Sequence, residues 1–398
     1  MRIPFTGIAL SLAVCVSATP VTAAHEFSGY VAAEGRIFFD DPLYGGQEAY
    51  NVSIAAQPEY YHEWESGSSF IFAPFARLDS ADPRRSHFDV RELNYLWLTD
   101  DWELRLGVGK VFWGVTEFAH LVDIINQTDL IEHIDTEDKL GQPMVHLSVP
   151  RDWGVVDLFV LPYFRERTFP GPRGRLRPGM YVDTSQTTYE SGDKERHIDF
   201  AARYSRTIGD WDIGISHFTG TGREPTLLPG TDSIGRPVLT PFYPQINQTG
   251  LDAQFVAGQW LWKLEALYRT GQGRGFFAGI GGFEYTFVGV RDSAADLSIV
   301  GEYAYDDRGA AATTPYENDV VLGCRLGLND IASTEILAGV MQDLDSPTRG
   351  LQVEASRRIG SNWRLSLELW LFLNPAQDDL LYNVRDDDFA RLELAYYF

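Results

Sequence analysis

The segment between residues 115 and 142 holds the densest group of side chains suited to electrostatic chemistry. From Glu117 to Asp138 it contains seven carboxylates and no lysine or arginine. The carboxylates are Glu117, Asp123, Asp129, Glu132, Asp135, Glu137 and Asp138. A run of like charge is typical of a solvated surface, and in a narrow water-filled space it can act as one wall of an electric field.

Two histidines in this segment invite comparison with a metal site. Asp123 lies three residues after His120, and His133 lies thirteen residues after His120. These spacings complete no closed ligand set, so we predict no metal and no cofactor. A hydrolase would need a nucleophile or a carboxylate pair together with a histidine at one place. No segment supplies such a set, and we predict that the chain is not an enzyme.

The charge of the whole chain excludes one class of partner. The sequence has 33 basic and 56 acidic residues, which give a formal net charge of −23 at pH 7. Nucleic acid and anionic surfaces repel a chain of this charge. We therefore predict no nucleic-acid partner.

The first 24 residues have the layout of a secretory signal peptide. Arg2 precedes the apolar run IALSLAVCV, and VTAA then supplies a small-residue cleavage site before His25. We predict a signal peptide over residues 1–24 and one mature domain over residues 25–398. Removal of Cys15 with the signal leaves Cys324 alone, so the exported chain can form no internal disulfide, which suits a bacterial envelope.

The mature chain alternates with a period of two and lacks a long apolar run. No stretch approaches the roughly 18 to 20 apolar residues of a spanning helix, so any membrane span must be a strand. Between residues 363 and 373 the odd positions are tryptophan and leucine, whereas Arg364, Ser366 and Glu368 lie at even positions. This pattern predicts a strand with one apolar and one polar face.

The same alternation predicts eighteen strands joined by short turns and longer loops in alternation. The strands are predicted near 27–39, 49–64, 68–79, 87–99, 102–114, 143–151, 155–168, 196–208, 211–222, 248–258, 260–271, 275–292, 295–306, 317–329, 334–343, 349–360, 362–373 and 388–398. Short turns lie near 66, 101, 153, 210, 259, 294, 331 and 361, and longer loops near 44, 83, 129, 182, 235, 273, 311, 346 and 381.

This loop rhythm indicates an all-β, transmembrane, antiparallel up-and-down barrel. Hydrocarbon offers no partner to backbone N–H and C=O groups, so the first and last strands must pair. Eighteen strands fit best, and sixteen remain possible.

Four tryptophans follow the short polar turns. They occur in TDDWELRLG, PRDWGVVDL, IGDWDIGIS and GSNWRLSLE, where Asp or Asn can make the turn. An indole directly after a turn in water lies at headgroup depth, where barrels carry aromatic girdles. We predict such a girdle from Trp102, Trp153, Trp211 and Trp363.

Two stretches resemble the porin-like outer-membrane barrels of Gram-negative bacteria. The ending ARLELAYYF places Leu394, Tyr396 and Phe398 at every second position, and LGVGKVFWGVTEFAHLVDIINQTDL at 106–130 is similar to a stretch in a porin-like family of largely undefined function. The resemblance implies that those three terminal residues are read by the barrel assembly machinery. It also implies an outer-membrane location and a passive channel, and it names no solute.

A barrel of this size has a wet lumen, so the acidic segment becomes the candidate site. Phe118, Leu121, Val122 and Ile125 fall at helical spacing, which predicts a long, partly helical loop after the fifth strand with an acidic face toward water. The expected constriction residues are Glu117, Asp123, Asp129, Glu132 and Asp135. The alternative is a loop folded outward, whose acids bind divalent ions among lipopolysaccharides.

Basic side chains on the polar strand faces are expected to line the opposite wall. They are Arg91, Arg105, Arg203, Lys263, Arg364 and Arg391. An acidic loop facing a basic wall would set a transverse field that favours hydrated polar solutes.

Two functions follow as hypotheses. The first is passive diffusion of small hydrophilic or moderately amphiphilic solutes through a barrel surrounded by outer-membrane lipid and lipopolysaccharide, as a monomer or a homo-oligomer. The second is export or delivery of lipid or apolar compounds with an envelope partner complex. Apolar residues on the inner face would favour the second, and Phe159, Leu161, Trp370 and Phe372 keep it open.

Overall fold

A computed structural model describes residues 24–398 of the chain. The predicted signal peptide, residues 1–24, falls outside the described residues except for its last position. Within the described part, no helix is long and apolar enough to cross a membrane.

Strands dominate the structure, and the helices are single 3-10 turns of three to five residues. The strands are β1 (Ala24–Phe38), β2 (Tyr50–Glu63), β3 (Ser69–Asp79), β4 (His87–Leu98), β5 (Glu103–Gly109), β6 (Gln142–Arg151), β7 (Gly154–Leu161), β8 (Thr188–Tyr189), β9 (Asp199–Ile208), β10 (Trp211–Thr221), β11 (Thr226–Thr231), β12 (Pro237–Tyr243), β13 (Gln245–Ala257), β14 (Trp260–Gly271), β15 (Gly273–Phe287), β16 (Asp296–Asp306), β17 (Asn318–Gly327), β18 (Glu335–Asp343), β19 (Arg349–Ile359), β20 (Trp363–Leu373) and β21 (Phe389–Tyr397). The 3-10 turns are Pro83–Arg85, Thr184–Gln186, Lys194–Arg196, Val290–Asp292, Gly309–Ala311 and Leu380–Val384.

Eighteen of the strands form one closed antiparallel barrel, and the other three, β8, β11 and β12, form a small sheet in the long loops. Each barrel strand pairs with the barrel strands before and after it in sequence. The wall is closed by β1 and β21, where Tyr30 faces Tyr397 and Phe38 faces Phe389. Closure satisfies every edge of the sheet, which hydrocarbon could not do. The predicted eighteen-stranded barrel is confirmed, and sixteen strands are excluded.

The two faces of the wall have opposite chemistry. On β1, Val31 and Ile37 are exposed while Glu34 and Arg36, which point the other way, are buried. On β20 the same alternation exposes Leu367 and buries Glu368. Since successive side chains of a strand point to opposite faces, the apolar residues form the outer surface and the charged residues face the lumen.

Three predicted strands end at least five residues earlier than the alternation suggested, and one of them is 275–292, which becomes β15 and ends at Phe287. The prediction of 102–114 becomes β5, which ends at Gly109, and that of 155–168 becomes β7, which ends at Leu161. Beyond Gly109 the backbone no longer pairs with a neighbouring strand, and its polar groups bond to the Asn126 side chain instead. Its Nδ2 donates to the Gly109 and Leu140 carbonyls (2.9 Å each), and its Oδ1 accepts from Val111 N–H (2.8 Å).

The predicted rhythm of loop lengths was wrong near 273, and the turns predicted near 294 and 331 (residues 288–295 and 328–334) are longer than the loop predicted near 346 (residues 344–348). The longer loop predicted near 273 is a single residue, Gln272, between β14 and β15. Gly271 (φ 99°) and Gly273 (φ 77°) flank it, and both adopt the left-handed backbone conformation that favours glycine. These two glycines allow a tight turn where the neighbouring connections are long.

The turn tryptophans lie on or beside neighbouring aromatic rings near the short-turn end of the barrel. Ring centroids are 5.5 Å apart for Trp102 and Trp97, 6.0 Å for Trp153 and Tyr204, 4.5 Å for Trp211 and Phe255, and 5.0 Å for Trp363 and Tyr396. The predicted assembly residues Leu394, Tyr396 and Phe398 are exposed on the outer face of the last strand and at its end. Their roles as girdle and assembly signal remain predictions.

Candidate functional site

Residues 110–141 connect β5 to β6 and run along the inner wall rather than away from it. Their first half, which we call the first arm (residues 111–126), contacts lumenal side chains of β14, β16 and β17. Their second half, the second arm (residues 127–140), contacts lumenal side chains of β1, β3, β4 and β20. The strands β5 and β17 lie on opposite sides of the eighteen-stranded ring, and the first arm reaches from one to the other along the wall, packing on β7, β9, β10 and β13 between them.

Two carboxylates of the wall hold the first arm by its backbone. Glu265 on β14 accepts N–H bonds from Val115 (2.7 Å), Thr116 (3.0 Å) and Val122 (3.2 Å). Glu302 on β16 accepts N–H bonds from Glu117 (2.7 Å) and Phe118 (3.1 Å). Bonds from N–H groups to carboxylates are roughly twice as strong as neutral ones.

This anchoring explains why the predicted helix is absent. The described loop contains turns and isolated bridges but no helix between Gly109 and Gln142. The Val122 N–H, which a helix over 118–125 would bond internally, is bonded to Glu265 instead. The expectation of a partly helical loop was therefore wrong, although the apolar residues that suggested it are real contacts. Val122 and Ile125 are buried in one cluster with Trp113 and Phe159.

The tip of the first arm is fixed by charge and by shape. The Glu117 carboxylate pairs with Arg325 on β17 and lies 3.4 Å from the Lys263 ammonium on β14. Burial acts to raise the pKa of Glu117, but Arg325 and Lys263 outweigh it and lower the pKa. Phe118 packs on Gly339, where a Cβ would lie 2.7 Å from its ring.

The second arm is fixed by arginines of the opposite wall. Asp129 accepts from Arg91 on β4 and from the Thr168 hydroxyl, both at 2.6 Å. The Glu132 carboxylate lies 2.7 Å from the Arg77 guanidinium on β3. The backbone carbonyl of Glu132 accepts a hydrogen bond from Arg36 on β1 at 2.6 Å. Burial acts to raise the pKa of Glu132, but Arg77, Arg85 and Arg91 outweigh it and lower the pKa to about 2.

The arginines themselves are organised by Glu34 on β1. Its side chain is 1% exposed, and four guanidinium groups surround it. Arg36 lies at 3.0 Å, Arg77 at 3.2 Å, Arg85 at 2.8 Å and Arg391 at 2.9 Å. Four like charges at one point would repel strongly without a central anion. Glu34 therefore connects the wall strands β1, β3 and β21 with the second arm.

His133 is the second connection between the arm and the wall. It is 2% exposed and lies 2.9 Å from both Asp135 of the arm and Glu368 of β20. Burial acts to lower its pKa, but the two carboxylates prevail and raise the pKa of His133 to about 10. The imidazolium is thus charged and bridges two anions at neutral pH.

The His133 bridge should make stability depend on alkaline pH. The folded pKa of about 10 exceeds the ordinary value of about 6.5, so the bridge contributes fully below about pH 6.5 and is lost as pH rises through about 10. We expect the free energy of unfolding in detergent to fall across this window in the wild type, and the wild type minus His133→Gln difference to shrink with it. A difference that is constant from about pH 6 to about pH 10 would contradict the assignment. The exposed His25 serves as a control in His25→Gln.

The predicted acidic residues are all in the loop, but they do not form an acidic face toward water. Glu117, Asp129, Glu132 and Asp135 each lie against a cationic side chain. Asp123 pairs within the loop, 3.2 Å from Lys139, and its side chain is 1% exposed. The expectation of free carboxylates opposite a free basic wall is corrected to one of direct ion pairs.

The predicted basic residues divide into two groups. Arg91 and Lys263 touch the arms directly, and Arg391 reaches them through Glu34 and Glu368. The other three have different partners. Arg203 forms a bidentate pair with Asp252, Arg364 donates to Ser356 (2.8 Å), and Arg105 lies exposed beside a small cavity.

Several residues that hold the loop escaped prediction from the sequence. They are Glu34, Arg36, Arg77, Arg85, Glu302 and Arg325. For those on strands a signal was present, because a charged residue at an inward position of an apolar alternation has to face the lumen. Arg85 lies in a loop turn, where no periodicity applies.

The inner apolar residues pack under loops. Phe159 and Leu161 pack in one cluster with residues of the first arm, which covers them. The ring of Phe159 lies 5.7 Å from the ring of Trp113. Trp370 lies 5.7 Å from the ring of His133, and Phe372 is buried. These four side chains therefore support the arms and neighbouring loops and do not form a continuous apolar strip. Among residues 24–398, no group of three or more His, Cys, Asp or Glu residues could hold a metal ion.

Comparison with known proteins gives structural neighbours only. No protein-family model matches the sequence, and neither does any curated protein. A BenF-like porin from Pseudomonas fluorescens Pf-5 is similar at 9% identity and a TM-score of 0.55, over 94% of this chain and 98% of that one. Wzi of Escherichia coli, a carbohydrate-binding barrel involved in group 1 capsule assembly, is similar at 11% identity and a TM-score of 0.53, over 92% of this chain and 84% of that one.

Proposed function

The chain has the fold of the porin-like outer-membrane β-barrels, and from this premise we propose that it is a channel for passive diffusion of small hydrophilic or amphiphilic solutes. The observation that carries the proposal is the closed eighteen-stranded wall, apolar outside and charged inside, with residues 110–141 tied along its inner surface. Barrels of about this size leave a lumen too wide for wall side chains to fill.

The two arms would set the bore of this channel. Each is held by buried carboxylate bonds or ion pairs at several points, so neither can swing aside without exposing unpaired charges in a confined space. We therefore propose a fixed constriction and not a gate. A fixed, hydrated constriction sorts solutes by size and charge at every moment.

The contacts weigh against the alternative of lipid or apolar export. Such a route would need a continuous apolar surface inside the barrel, whereas Phe159 and Leu161 are covered by the first arm and Trp370 lies against His133. Outer-membrane lipid and the barrel assembly machinery remain proposed partners of the outer face and the last strand. Cleavage of a signal peptide before His25 remains a prediction from the sequence.

Swelling of liposomes tests the proposed function. Vesicles that contain the refolded barrel should swell in solutions of small neutral sugars, at rates that fall as the sugar grows, because uncharged solutes are sorted by bore alone. Vesicles that contain an unfolded sample of the same protein provide the control. Equal rates with and without the folded barrel would refute passive diffusion.

A further inference from the structure

The charges inside the barrel do not balance. The uncompensated charge would affect which ions the proposed channel passes. The arginine-rich wall carries little spare positive charge. Arg391 alone is shared by Glu34 (2.9 Å), Glu368 (2.6 Å) and Glu393 (2.8 Å). The four arginines around Glu34 also pair with Asp79, Glu132, Glu368 and Glu393, so this cluster carries no net positive charge.

One sector of the wall carries lumenal carboxylates that have no cationic partner. This acidic sector consists of Glu302 on β16, Asp319 on β17, Asp343 on β18 and Glu354 on β19. Among the residues that the structure describes, none of the four forms an ion pair with lysine, arginine or histidine, and their partners are neutral donors. These four carboxylates on adjacent strands therefore add negative charge that no directly bonded cation cancels.

The register of the strands brings these carboxylates directly opposite other carboxylates. Asp319 faces Asp343 across β17 and β18, and Glu354 faces Glu368 across β19 and β20. Like charges directly opposite each other destabilise a sheet. Asp319 is fully buried, and its Oδ1 has no hydrogen-bond partner. Each facing pair of carboxylates therefore concentrates negative charge at one point of the wall.

The acidic sector lies where the two arms end. Phe118 at the tip of the first arm packs on β17 and β18, and His133 of the second arm bonds to β20. Burial, together with Asp135 and Glu354, raises the pKa of Glu137 in the second arm to about 8, which reflects the negative field there. Arg358 and Arg364 lie on the same side but nearer the short turns, so the field is strongest toward the long loops.

We propose that the lumen is cation-selective, and that the solutes of this channel are cationic or zwitterionic hydrophilic molecules and not anions. This inference rests on the proposed function, since selectivity requires a conducting lumen. A water-filled passage with uncompensated carboxylates concentrates cations and repels anions. One unit charge at about 10 Å in water changes the local concentration of a monovalent ion about twofold, and so changes the ratio of cation to anion about fourfold.

Reversal potentials in a KCl gradient at about pH 8, where free carboxyl groups are ionised, test the inference. We expect potassium to permeate better than chloride in the wild type. Asp319→Asn combined with Asp343→Asn should reduce the potassium-to-chloride ratio about fourfold for each charge that is removed. Glu354→Gln is a second, independent variant with the same expected direction.

The matched control is Asp101→Asn, which removes one carboxylate from an exposed turn, 79% exposed, outside the lumen. It should leave the ratio unchanged. Anion preference or no preference in the wild type would overturn the inference while leaving the channel function intact. A ratio unaltered in both lumenal variants would also overturn it. Absence of any current would instead refute the proposed function, and the inference with it.

Discussion

Replacing residues 112–139 with a short glycine-serine linker is expected to raise single-channel conductance several-fold and to leave the strand content of the barrel unchanged. The replaced residues are the two arms without residues 111 and 140, and they occupy lumen that would otherwise hold water and ions. Gly109 and Gln142, on either side of them, are already paired partners in the β5–β6 ladder. A short linker can therefore join the two strands without moving the wall.

A matched control comes from another long connection. The tip of the β11–β12 hairpin is not part of the arms. It carries Ile234, which is 73% exposed. Shortening the tip at residues 232–236 should leave conductance as in the wild type. Equal conductance of the arm replacement and the wild type would show that residues 110–141 do not set the bore.

Glu34→Gln is expected to lower the free energy of unfolding by about 3–5 kcal/mol, because it leaves four buried guanidinium groups around a neutral side chain. All four lie within 3.2 Å of the carboxylate in the wild type. Glutamine has nearly the same shape as glutamate, so the loss would report charge and not packing. Urea unfolding in lipid vesicles, followed by tryptophan fluorescence, measures the effect.

Glu48→Gln is the corresponding exposed control. Glu48 lies 3.7 Å from Arg173, and both side chains are about half exposed. Exposed ion pairs of this kind contribute about 0–1 kcal/mol. Equal stabilities of the Glu34 and Glu48 variants would mean that the buried network does not hold the wall to the second arm.

The wall could be read from the sequence because lipid imposes a strict rule on it. Every outward residue has to be apolar, so the period-two pattern extends along whole strands such as β20. The ends of β5 and β7 could not be found in this way. There the alternation of apolar and polar residues continues in the sequence. The backbone, however, bonds to side chains such as Asn126 and no longer to the neighbouring strand.

The acidic loop was found from its composition, but its conformation was not. Helical spacing of Phe118, Val122 and Ile125 is a local signal, whereas the bonds to Glu265 and Glu302 join positions more than a hundred residues apart. The partners of Glu132, Arg36 and Arg77, lie 96 and 55 residues away in sequence and were missed for the same reason. The sequence shows that carboxylates and arginines face the lumen, and only the barrel register shows which of them meet.

The most direct test of the account is the current through single molecules of the refolded wild-type barrel in a planar lipid bilayer. We predict discrete, ohmic conductance steps that persist at both polarities, because the arms are fixed by buried ion pairs and leave a permanently hydrated passage. A barrel that inserts with its full strand content and remains electrically silent would contradict it.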